Sequence, residues 1–284
     1  MATTDPEKTT TAAFTKNESE ILFEKCLIAN GVKDWEYEAK AEGKAKRPDY
    51  RLKFKDVPHY FEVKEFRQGD SLPIPEGKAS AYDPYAPIRA KVNAAREQFK
   101  EYKESPCSLV LYNVDAPLVF LDDWTVVMGA MLGDLGYRFA VDTKLGEAVG
   151  DFTYTFAKRG KMINYKNMTP QNTTISAVVA LDMFAVGRRR LEALWTHEEK
   201  KSGKMDWGEF VKYAESLRSK GVDASEVVLR VITYENPYAR IALAKELFNG
   251  PFDERFGPSG DNIARLFAGS EILRLESEEA ALRG

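Results

Sequence analysis

The residues whose types and spacing could do chemistry fall within a short span, Asp49, Arg51, Glu62 and Lys64. Arg47 to Phe54 and His59 to Phe66 read as two strands joined by a loop at Lys55 to Pro58. With those four residues as the loop, Phe54 opposes His59, Leu52 opposes Phe61, Tyr50 opposes Val63 and Asp49 opposes Lys64. One face of this hairpin is apolar. The other carries Asp49, Arg51, Glu62 and Lys64, with Asp49 diagonal to Glu62. Two carboxylates converging beside one ammonium are what a hard cation such as Mg²⁺ requires, because it takes oxygen ligands and keeps several waters for chemistry. A neighbouring lysine orients or deprotonates the attacking water, or stabilises charge building on a phosphoryl oxygen. The competing explanation is a solvated face with ordinary cross-strand ion pairs, Arg51 to Glu62 and Lys64 to Asp49. The triplet acid-any-Lys occurs eight times in the chain, so what singles out Glu62 and Lys64 is their place one hairpin after its only Pro-Asp dipeptide.

The elements that must position these residues are legible from periodicity. Ile21, Leu22, Cys26 and Leu27 predict a core-facing helix from about Phe14 to Asn30, with Gly31 as its cap. Strands are expected over Trp35 to Ala41, Asp49 to Phe54 and His59 to Phe66, then a Pro-rich loop over 67–87 of the kind that often lies over a site. Ile88, Val92, Ala95, Phe99 and Tyr102 recur at helical spacing. The apolar runs Ser108 to Val114, Ile175 to Leu181 and Val227 to Thr233 read as central strands. Phe152 to Phe156 with the turn Lys158-Arg159-Gly160-Lys161 suggests a hairpin, and Arg188 to Trp195 and Trp207 to Arg218 look helical. This order argues for an α/β or α+β sandwich built on a mixed sheet, as one domain over 13–284 after a disordered polar arm at 1–12.

With 284 residues, 44% apolar and 30% charged, the chain has the makeup of a folded globular protein. No apolar stretch is long enough to span a bilayer, and the N-terminus lacks a signal-peptide layout, so a cytoplasmic protein without membrane contact is expected. Cys26 and Cys107 lack metal-ligand spacing and read as buried thiols. His59 and His197 assemble no triad or paired-His motif, so any metal must be held by carboxylates. A formal net charge of −3 argues against nonspecific coating of nucleic acid, although Lys40, Lys44, Lys46, Arg47, Arg51, Lys53 and Lys55 crowd one segment.

Pro48-Asp49 followed by Glu62-Val63-Lys64 resembles the signature of the PD-(D/E)XK nuclease superfamily, over about residues 14–114. The likeness is to its restriction-endonuclease-like and junction-resolvase-like branches. The resemblance implies a central mixed sheet flanked by helices and phosphodiester hydrolysis assisted by Mg²⁺, with Mn²⁺ as a substitute. Asp49, Glu62 and the Val63 carbonyl would hold the ion, and Lys64 would position or activate water. A glutamate from the first helix commonly joins them, Glu20 first and Glu24 as the alternative. Gln98 and Tyr102 match a Gln-x-x-x-Tyr pair of some relatives, though Gln98 lies 34 residues after Lys64, and Tyr102 also falls on the apolar helical face, where a plain core role fits it at least as well. Arg89 and Lys91 are further candidates for phosphate contact, against the plainer reading of a solvated basic helix end. The activity implied is a DNA endonuclease of restriction, antiviral defence or repair, acting as a homodimer, with 115–284 unassigned. The alternative is a catalytically silent module that holds nucleic acid or a protein.

Overall fold

The structure, a computed structural model, describes residues 16–38, 46–70, 82–202, 206–219, 223–260 and 262–283. The expected arm at 1–12, the end of the first expected strand, Lys40 and Lys44, and most of the Pro-rich loop lie outside these.

The first part of the chain runs α1 (Glu18–Ala29), β1 (Trp35–Tyr37), β2 (Tyr50–Phe54), β3 (Val57–Phe66), α2 (Ala86–Phe99) and β4 (Cys107–Asn113). It continues with α3 (Trp124–Leu132), β5 (Asp134–Asp142), β6 (Glu147–Ala157), β7 (Ile163–Asn164), β8 (Thr169–Pro170) and β9 (Ile175–Phe184). Then come α4 (Val186–Ser202), α5 (Trp207–Ser219), β10 (Val228–Glu235), β11 (Glu254–Ser259), β12 (Asn262–Ala268) and α6 (Ser270–Arg283). One eight-stranded mixed sheet, in the order β1-β2-β3-β4-β9-β10-β11-β12, joins both halves of the chain. The antiparallel meander β1-β2-β3 is followed by parallel β4 and β9, as expected of an α+β fold with a large mixed sheet.

Strands β4 and β9 are buried on both faces, which is why they read as unbroken apolar runs. On one face Phe23 and Leu27 of α1 pack against Tyr50, Leu52, Phe61, Val63, Val110 and Val179. On the other, α2 and α3 cover Phe66, Leu109, Leu111, Val178 and Ala180. The inward side of α1 is led by Phe23, with Cys26 and Leu27 buried and Leu22 partly buried against the same core, whereas Ile21 is exposed. Phe23 decides the rotation: its ring meets Tyr50 at 5.1 Å and Phe61 at 5.2 Å, and burying such a ring stabilises by about 1.5–3 kcal/mol.

One further expectation is corrected. The turn after Phe156 closes no hairpin: β5 and β6 pair with each other, and 158–160 instead leads back to α3, where Lys161 and Met162 donate main-chain N–H to the Met131 carbonyl. Strands β11 and β12 and helix α6 were not anticipated, and the segment from Asn236 to Phe256 is a structural clasp. The Asn236 side chain donates to the Ile175 carbonyl at 2.7 Å and caps Tyr238 N–H at 3.0 Å, while Asp253 accepts from Val231 and Gly250 N–H. Both cysteines are buried thiols outside any disulfide, and Cys107 Sγ donates to the Ser105 carbonyl. No helix among the described residues is long and apolar enough to cross a membrane.

Candidate functional site

The β2–β3 hairpin turns in two residues, not four. Lys55 and Asp56 both adopt left-handed backbone, φ 49° and 64°, as a type I′ turn requires, and Val57 and Pro58 thereby join the strand. Pro58 fits because Tyr60 N–H points toward the Pro106 carbonyl, on the side where β4 has not yet begun at Pro58. Tyr50 therefore pairs with Phe61 and Leu52 with His59, a register displaced by two from the expected one. A displacement of two preserves which residues share a face. It also sets Asp49, the residue before Tyr50, across from Glu62 instead of Lys64.

The ion pairs of a solvated face are not the ones formed. Arg51 reaches Glu36 at 3.5 Å, and Lys64 Nζ donates to Glu62 Oε1 at 2.5 Å. Glu62 is fully buried beneath α2, whose Gln98 donates to the same oxygen at 3.1 Å, and Glu62 Oε2 has no hydrogen-bond partner among the described residues. Asp49 Oδ2 accepts the Val63 N–H at 2.7 Å. Burial, then the neighbouring Glu62 charge, pushes the Asp49 carboxyl up to about 7 against the opposing pull of Val63 N–H and Lys64. Burial pulls Lys64 down, but the carboxylates of Glu62, Asp49 and Glu20 outweigh it and hold the ammonium above its ordinary range.

Glu20 borders this group from α1. The sequence Asn17-Glu18-Ser19-Glu20 is a capping box, in which Asn17 caps Glu20 N–H at 2.9 Å and Glu20 Oε2 accepts Asn17 N–H at 2.8 Å. Its other oxygen accepts the Tyr37 hydroxyl at 3.1 Å. The charge of Glu20 bears on both Asp49 and Lys64. Glu24 instead accepts the Tyr50 hydroxyl at 2.9 Å and pairs with Lys16.

The remaining candidates divide. Gln98 is brought to the site. Tyr102 lies past the end of α2 rather than on it and is buried, its ring 4.4 Å from Tyr60 and its hydroxyl donating to the Lys46 carbonyl at 2.8 Å. Arg89 is buried between Asp134, at 2.8 Å, and Asp83, at 3.4 Å, so its charge is spent inside the protein. Lys91 pairs with Asp70 at 3.0 Å. Tyr37 and Asn17 escaped notice in the sequence; the capping-box spacing would have revealed Asn17, whereas nothing local marks Tyr37.

Among the described residues no three His, Cys, Asp or Glu side chains gather closely enough to hold a metal by themselves. An ion here would draw on two carboxylates, main-chain oxygen and water, a donor set that suits Mg²⁺, which is commonly held by one or two carboxylates. Two carboxylates, one of them pushed up to about 7, face one lysine held above its ordinary range. No family model matches this chain, and neither do any characterised proteins or solved structures.

Proposed function

We propose that the chain is a divalent-metal-dependent nuclease with a restriction-endonuclease-like core, a member of the PD-(D/E)XK superfamily that hydrolyses phosphodiester bonds in DNA. One observation carries the proposal. The fully buried Glu62 keeps an oxygen without a hydrogen-bond partner among the described residues, beside a second carboxylate, Asp49, that is pushed up to about 7. Buried carboxylates are paired or ligate metals, and Lys64 alone cannot balance two of them. Further support comes from the order of helix, three-stranded meander, helix and parallel strand, with Pro-Asp entering β2 and the acid-any-Lys triplet on β3.

Asp49, Glu62 and the Val63 carbonyl would hold Mg²⁺ or Mn²⁺. The ion would supply Lewis acidity toward the scissile phosphate. Lys64, held protonated at neutral pH, acts as a hydrogen-bond donor that orients water and screens phosphoryl charge rather than as a base. Gln98 keeps Glu62 turned inward. A two-fold dimer would offer one site to each DNA strand, in restriction, defence or repair.

The test is cleavage of linear, circular and single-stranded DNA and of RNA in Mg²⁺, Mn²⁺ and EDTA, by wild type and by the Asp49→Ala and Lys64→Ala variants. Metal-dependent cutting of DNA lost in both variants is the expected result. Folded wild type that cuts nothing would replace the enzyme with a silent binding module, and preference for RNA would correct the substrate.

A further inference from the structure

The Tyr37–Glu20 contact assigns a role that capping alone does not need. A capping box uses one glutamate oxygen, here Oε2 on Asn17 N–H. Glu20 Oε1 is instead taken by a hydroxyl from a different element, the three-residue edge strand β1. That strand is tied to the site: Tyr37 pairs with Tyr50, and Glu38 N–H donates to the Asp49 carbonyl at 2.7 Å. Lys16 Nζ lies over the Tyr37 ring at 4.7 Å. Burial, then Glu20, and also Asp49, raise the Tyr37 phenol above its ordinary range, so the hydroxyl stays a donor.

We propose that Tyr37 is a positioning residue, whose hydroxyl turns the Glu20 carboxylate toward Asp49 and Lys64 so that Glu20 adds its negative charge to the cation site instead of only capping α1. This rests on the nuclease reading. Glu20 is buried, carries both hydrogen bonds at once, and is held from two sides, by its own helix start and by the strand beside Asp49. Removing the Tyr37 hydroxyl frees the Oε1 side while the capping box stays whole.

The experiment compares Tyr37→Phe in the wild-type and Glu20→Gln backgrounds. Mn²⁺ binding by calorimetry, without nucleic acid, is expected to weaken about 10-fold in Tyr37→Phe, the scale seen when partners of metal ligands are removed. On DNA, kcat is expected to fall about 10-fold at unchanged KM, with the melting temperature within about 4 °C of wild type. In the Glu20→Gln background the same substitution is expected to change neither reading, because its effect runs through Glu20. Unchanged Mn²⁺ affinity and kcat in Tyr37→Phe, or equal losses in both backgrounds, would overturn the assignment while a cutting wild type leaves the nuclease reading standing. A wild type that binds no Mn²⁺ and cuts nothing overturns both.

Discussion

The main-chain N–H of Val63 donates to Asp49 Oδ2 at 2.7 Å, so the carboxylate at the start of one strand is held by the backbone between Glu62 and Lys64 on the next. The hydrogen bond fixes where Asp49 points without neutralising it. Geometry is therefore set before any ligand arrives, and charge balance is left open.

That open balance has a pH signature. Asp49 is raised from an ordinary 3.8 to about 7, so between those values the folded chain binds a proton that the unfolded chain does not. Its contribution to stability is full below pH 3.8 and is lost as pH rises through about 7. In EDTA the melting temperature should fall from pH 5 to pH 8, and Asp49→Asn, which can still accept the Val63 N–H, should flatten that slope while lowering cleavage about 100-fold. An unaltered slope in calorimetry would remove Asp49 as its origin.

Lys64 is the ammonium that pairs with Glu62. Lys64→Ala leaves that carboxylate buried with Gln98 alone, and breaking such a pair from one side costs about 3 kcal/mol. Chemical denaturation in EDTA should show this loss, and Mg²⁺ should restore more stability to the variant than it adds to wild type. Equal stabilisation of the two proteins would mean that no ion binds beside Glu62.

The two left-handed residues of the hairpin turn are not those that such turns favour. Replacing Lys55→Asn and Asp56→Gly together should stabilise by about 0.5–1 kcal/mol, even though it removes the exposed ion pairs Lys55–Glu246 and Lys53–Asp56. A drop in the denaturation midpoint would argue for the longer four-residue loop and its register.

Arg89 separates a structural from a functional cation. Arg89→Ala leaves Asp83 and Asp134 with Arg159 as their remaining cationic partner among the described residues, and should destabilise by about 3 kcal/mol. DNA affinity of the folded variant, measured by anisotropy below its melting temperature, should match wild type. A weakened affinity with intact stability would put Arg89 at the phosphate backbone.

The hairpin face was legible because side-chain alternation survives a register error of two; the partner of Asp49 was not, because Lys55 and Asp56 carry no turn signature. Burial of Glu62 was hidden as well. A glutamate in an alternating strand reads as solvated, and nothing local shows that the helix bearing Gln98, 36 residues away, packs over it. Central strands announced themselves through runs such as Leu109-Val110-Leu111, whereas β11 and β12 did not, since charged side chains such as Glu254, Arg255 and Arg265 are matched to one another across elements. Arg89 looked like a solvated helix end because Asp134, its partner, lies far along the chain.

The joining of both halves through β4 and β9 decides how the protein can be dissected. A fragment ending near residue 114 would retain every candidate residue, yet β9 would no longer cover Cys107 to Tyr112. The apolar strand Leu109-Val110-Leu111 would then become a bare edge, a template for pairing with other chains. Such a minimal fragment should aggregate rather than stay a compact domain, so the long C-terminal part serves the hairpin by keeping its neighbouring strand from becoming adhesive.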